Sequence, residues 1–166
     1  IYSHMAYVKI AEGCSSRCTY CIIPKLRGKL RSRPEQDILA ECRGFIDSGV
    51  KELVLISQET TNYGKDLQNG GLAPLLDSIA DLSEDVWIRF LYGHPETMDM
   101  RVIDSVARRE SICSYFDLPI QHAANGILKK MGRRYKKEDL SVFTAKQLDG
   151  VRDLGYAVDI KETISN

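Results

Sequence analysis

Three cysteines fall within eight residues, in the string Gly13-Cys14-Ser15-Ser16-Arg17-Cys18-Thr19-Tyr20-Cys21. Thiols this close on a short loop cannot all point into a core, and they converge on one point. That is the geometry of a metal site. Three ligands are one too few to close a tetrahedral zinc site or a four-iron cluster. A cubane held by three cysteines keeps one iron open for a small molecule, and an open redox-active iron does chemistry. The competing reading is structural zinc with Cys42, Cys113 or a histidine as fourth ligand. Against it, Cys42 sits on an apolar helix face and Cys113 stands alone before a strand, positions where a free cysteine acts as a small hydrophobe.

The surrounding elements must place these residues on one rim. Ala6 to Ala11 is rich in β-formers and predicts a strand that feeds the cysteine loop. Pro34 opens a helix with Glu35 and Asp37 in its first turn. That helix aligns Ile38, Leu39, Cys42, Phe45 and Ile46 on one face and stops at Gly49. Leu53 to Ile56 is a continuous apolar run, the pattern of a strand buried on both faces. Strands are also predicted over Val86–Tyr92, Ser114–Ile120 and Tyr156–Ile160. Helices are predicted over Leu72–Leu82, Glu96–Arg109, Asn125–Met131 and Lys137–Leu154. Strands alternating with helices through short loops give parallel βα units. The fold expected is α/β, a partial parallel barrel of the TIM type. Cys14, Gln58, His94 and Gln121 each follow a predicted strand and would share its ligand-binding rim.

The chain has 166 residues, enough for one domain with a real core. Lys plus Arg and Asp plus Glu both total 23, so no global field argues for nucleic acid or membrane. No apolar stretch suffices to span a bilayer and no export pattern is visible, which points to the cytoplasm. There clustered cysteines are metal ligands or catalysts more often than disulfides. Arg89 interrupts an apolar strand and needs a partner, either a cofactor group or Asp117 on the next strand. His94-Pro95 reads as a rigid turn. Lys25, Arg27, Lys29, Arg31 and Arg33 form a basic run beside the cysteines, either a solvated loop or an attractor for an acidic or nucleic-acid partner.

The string Glu12 to Pro34, with its Cys-x-x-x-Cys-x-Tyr-Cys core, resembles the radical S-adenosylmethionine methylthiotransferases. So do Gln58-Glu59-Thr60 and the segment Phe116 to His122 running on to Met131-Gly132-Arg133-Arg134. Gln121-His122 and Gln58 to Gly64 are closer to the ribosomal-protein branch of that family than to its tRNA branch. The resemblance covers about residues 6–140, the radical core; residues 141–166 read as a continuation of the barrel or an atypical tail. It implies a [4Fe-4S] cluster on Cys14, Cys18 and Cys21, with S-adenosylmethionine on the open iron. One electron, from a flavodoxin-type donor, would split the sulfonium and release a 5′-deoxyadenosyl radical that takes a hydrogen from an unactivated C–H bond. It implies that Tyr20 packs near the cofactor's adenine. Gln58 is a candidate to bind the cofactor's methionine end or the substrate, or else a strand-end cap. Arg89 is a candidate to bind a cofactor carboxylate or ribose. Gln121 and His122, at the end of a strand on the same rim, are the candidate catalytic residues. The substrate implied is an aspartate of a small-subunit ribosomal protein, with a tRNA adenosine as the alternative. A second [4Fe-4S] cluster is expected on an N-terminal domain outside this chain. After Leu140 the resemblance fades: the family's fifth-strand arginine and Gly-Phe-Pro-Gly-Glu-Thr motif are not visible. A non-catalytic zinc module is the rival from another class.

Overall fold

The apolar runs pair side by side in a computed structural model that describes residues 4–68 and 70–140. Strand β1 (Met5–Lys9) lies parallel to β4 (Glu52–Ile56), and β4 lies parallel to β5 (Trp87–Phe90). Register puts Val8, Leu55 and Phe90 in one row and Ala6, Leu53 and Ile88 in the next. Side chains alternate across a sheet, so these rows share a face and join the core with Ile38, Leu75, Leu76 and Ile79. The opposite face carries Tyr7, Val54 and Arg89, and there Tyr7 and Trp87 stand well exposed. The described sheet is thus an arc of a parallel barrel with helices packed on one side.

The helices follow their end signals. α2 (Glu35–Asp47) starts behind Pro34 with Glu35 and Asp37 in its first turn, and ends where Gly49 takes a φ of 93°. α3 (Leu72–Ala80) buries six of its nine residues. α4 (Met100–Arg108) begins later than the sequence suggests, because Asp99 caps it by accepting from the Arg101 amide at 2.9 Å. Residues 94–98 instead form a turn on the His94 carbonyl. α5 (Asn125–Lys130) lies within its expected span. Residues 137–140 are helical; the rest of the helix expected to Leu154 and the strand over Tyr156–Ile160 lie outside the described residues.

Two expectations change. The first strand does not run unbroken to Ala11. β2 (Ala11–Glu12) leaves the sheet and pairs antiparallel with β3 (Arg31–Ser32). The cysteine loop and a short helix, α1 (Ile23–Arg27), are therefore the connection inside a two-stranded ribbon. The fourth strand, expected over Ser114–Ile120, shrinks to one parallel bridge, Ile88 with Ile112. β5 stops at Phe90 and Tyr92 takes a φ of 61°, so beyond Cys113 the two segments share one backbone bond, from the Gly93 amide to the Asp117 carbonyl at 2.9 Å, and form no ladder. Phe116 still packs into the core, its ring edge-on to Phe90 at 5.8 Å.

Candidate metal centre

Gly13 turns the chain out of β2 with a φ of 80°. A Cβ there would sit 2.2 Å from the Lys29 carbonyl oxygen, so only glycine lets the two ends of the loop approach. The Gly13 amide donates to Gln58 Oε1 at 2.6 Å, the Cys14 amide to the Gly28 carbonyl at 3.1 Å, and the Leu30 amide to Ser15 Oγ at 3.1 Å. The Cys21 amide closes a turn on the Cys18 carbonyl at 3.1 Å. Gln58 thus follows its strand as expected, and its side chain fastens the cysteine loop.

A second fastening comes from far along the chain. The Thr19 amide donates to the Met131 carbonyl at 3.0 Å and Thr19 Oγ1 to the Lys130 carbonyl at 2.9 Å. Gly132, with a φ of 73°, presses against the Arg17 carbonyl, which a Cβ would meet at 2.5 Å. Arg133 is buried and donates through Nη2 to the Tyr20 hydroxyl at 2.6 Å. Its guanidinium also lies over the Tyr20 and Tyr135 rings, 5.9 Å from each centroid. Its Nε is buried without a partner among the described residues.

Between these fastenings lies a buried polar network that the sequence did not announce. The Cys14 thiol donates to Glu59 Oε2 at 3.2 Å. The same carboxylate accepts from Ser16 Oγ at 2.5 Å and Thr97 Oγ1 at 2.9 Å. Burial disfavours charge on Glu59, but these bonds and nearby His94 hold its carboxyl below the usual range. Burial, with the Glu59 charge added, pushes the Cys14 thiol up to about 11. His94 does open a turn, yet its ring is also buried, edge-on to Tyr135 and against Arg133 Nη1. Burial and the Arg133 charge lower its pKa. Glu59 and His94 both follow strand ends, the criterion that singled out Gln58. Arg133 stood in the Met131–Arg134 string that carries the resemblance, but nothing in the string named its partners Tyr20 and His94.

The other expected residues lie elsewhere. Arg89 donates through Nε to Glu52 at 2.7 Å and lies over Tyr115. It does not pair with Asp117, whose carboxylate accepts from the Tyr92 amide at 3.1 Å. Gln121 has a φ of 74°, and the His122 ring caps its own turn through Nδ1 and the Ala124 amide at 2.9 Å. Cys42 sits in the core, where burial pushes its thiol up to about 12. Cys113 lies beside Arg89.

Compared with known proteins, residues 8–144 match the model of the radical SAM superfamily. The chain belongs to the radical SAM superfamily. It is 56% identical over 138 residues to ribosomal protein uS12 methylthiotransferase RimO of Desulfosudis oleivorans, covering 82% of this chain and 31% of that protein. It is 53% identical over 139 residues to the same-named protein of Clostridioides difficile, covering 83% and 31%. The chain thus spans about a third of the relatives it matches. Its fold resembles the radical S-adenosylmethionine methyltransferase TsrM from Kitasatospora setae, a structure with cobalamin and a [4Fe-4S] cluster bound. That likeness has a TM-score of 0.69 at 18% identity over 93% of this chain and 30% of the other. The cobalamin-dependent S-adenosylmethionine radical enzyme OxsB follows at 0.68 and 18%, covering 93% of this chain and 23% of that one.

The donor set suits the cluster that such a superfamily uses. All three loop cysteines are free of disulfides, and thiolates are the ligands that iron–sulfur clusters take. Among the described residues no three His, Cys, Asp or Glu side chains close tightly enough on one point to hold a single metal ion. A cubane spreads its ligands more widely than one ion does, and the carboxylate that meets the loop, Glu59, accepts from the Cys14 thiol at 3.2 Å.

Proposed function

We propose that this chain is the radical core of a methylthiotransferase that modifies ribosomal protein uS12, as the relatives' name describes, with an aspartate side chain as the modified group, as the family resemblance implies. The observation that carries the reading is the three-thiol loop, fastened from three other segments (28–30, 58–59 and 130–133), in a chain 56% identical to a uS12 methylthiotransferase. Cys14, Cys18 and Cys21 would hold a [4Fe-4S] cluster with S-adenosylmethionine at its open iron. When bound, that cluster supplies the electron that splits the sulfonium. Gln58 Oε1 fixes the loop at Gly13. Arg133 fixes Tyr20, which we assign to the cofactor's adenine. Gln121 and His122 lie beyond the bridge at Ile112, and we assign them to the substrate side of the rim. Arg89 is tied to Glu52, and we assign it to the sheet. A ribosomal substrate suits a cytoplasmic setting, and we assign the single electron to a flavodoxin-type donor, as the family resemblance implies.

The test uses the full-length protein. Anaerobic reconstitution with iron and sulfide should give a broad charge-transfer absorption that a Cys18→Ala variant loses. Incubation with uS12 should add the mass of a methylthio group. Stoichiometric zinc with no such absorption, or modification of tRNA alone, would overturn the proposal.

A further inference from the structure

The chain as a whole is electrically balanced, but the surroundings of the cysteine loop are not. Segment 13–33 carries six Lys or Arg and no Asp or Glu, and segment 121–137 also carries six and none. Sequence shows only the first of these as a run. The fold brings the two together, because Lys130 and Met131 receive the Thr19 hydrogen bonds and Gly132 abuts Arg17. Six of these cations, Arg17, Lys25, Lys29, Arg31, Lys129 and Lys130, are exposed and have no carboxylate partner among the described residues. Three others differ in kind. Arg27, Arg33 and Arg134 face Glu12, Glu41 and Glu96. The unpaired six flank the loop on both sides.

We infer that this cationic rim docks the phosphate backbone of structured RNA beside the reaction site. Four of the six are lysines, mobile point charges that suit phosphates spread along a backbone. Two segments with twelve cations and no carboxylate between them present positive charge over an extended surface, as a run of backbone phosphates does in the opposite sign. RNA held there steers the macromolecular substrate to the open side of the loop and releases counterions as it binds. The inference goes beyond the uS12 reading and does not depend on it, since the rim makes the contact whichever residue is modified.

The test is fluorescence anisotropy of a labelled RNA hairpin with the full-length protein, titrated with potassium chloride and without S-adenosylmethionine. A K25E/K29E/K130E variant should bind at least roughly tenfold more weakly and lose about three from the salt slope, one per phosphate contact. The neutral K25A/K29A/K130A variant should fall between. R43E/K51E, on exposed positions away from the loop, should bind like wild type. Circular dichroism checks the fold of each. Wild-type affinity and slope in both triple variants would overturn the inference. So would displacement of the hairpin by polyglutamate at equal charge, which would mark the rim as an acidic-protein site. Methylthiolation of free uS12 is scored separately, so either conclusion can fail alone.

Discussion

Replacing Gly132 by alanine tests the fastening of the cysteine loop directly. The new Cβ would lie 2.5 Å from the Arg17 carbonyl oxygen, at a φ of 73°. The left-handed backbone alone costs an alanine about 1–2 kcal/mol, and the contact forces backbone apart because no flexible side chain can yield. A loss of about 2–3 kcal/mol follows, localised to the contact between residues 17–19 and 130–132. Gly126 supplies the control six residues earlier. It lies in α5, and a Cβ there meets nothing within 4 Å. Gly126→Ala should therefore stabilise by up to about 1 kcal/mol. Hydrogen exchange reads the difference at the Thr19 amide, which bonds the Met131 carbonyl at 3.0 Å. In Gly132→Ala that amide should exchange at least roughly tenfold faster, while Gly126→Ala leaves it unchanged or slower. Equal protection in wild type and Gly132→Ala would refute the idea that this turn holds the loop.

Other substitutions probe the remaining supports. Gln58→Leu removes the acceptor of the Gly13 amide, which should lower the melting temperature by an amount equivalent to about 1–3 kcal/mol and reduce iron retained after reconstitution. Phe116→Ala empties the space against Phe90, and urea unfolding should show a loss of about 3–5 kcal/mol. Asp99→Ala removes the α4 cap and should cost about 1 kcal/mol. The Arg101 side chain and amide hold the Asp99 carboxyl below its usual 3.8. Its contribution is therefore complete above 3.8 and fades as pH falls further. Wild type and Asp99→Ala should converge in stability on acidification, and a constant gap down to the most acid point would count against the cap.

Much of the frame was legible because its signals are local. The apolar run Leu53 to Ile56 became the central strand, and the Pro34 start and Gly49 stop bracketed α2. Cysteine spacing marked the loop for the same reason. The fourth strand was not legible, since its β-forming residues keep that pattern whether or not a neighbour offers a ladder. Tyr92 takes a φ of 61°, and past it the neighbouring chain offers this segment's backbone only the Gly93 amide, on the Asp117 carbonyl at 2.9 Å. The Cys14–Glu59–Thr97 chain of hydrogen bonds joins residues from separate loops, and a carboxylate after a strand reads the same whether solvated or buried. Arg89 shows the limit from the other side. Its need for a partner was plain, but Glu52 reaches it only through the register that places both on one sheet face.

The two clasps on the cysteine loop differ in when they can exist. Gln58 emerges 45 residues after Gly13, whereas Lys130 follows Thr19 by 111 residues and Arg133 follows Tyr20 by 113. At about 5–20 residues per second of synthesis, the second clasp trails the first thiols by roughly 6–20 seconds. During that interval a nascent chain presents three soft nucleophiles on a tether fixed at one end only. Metal that arrives after the second clasp closes meets a finished loop, while metal that arrives earlier meets an unfinished one.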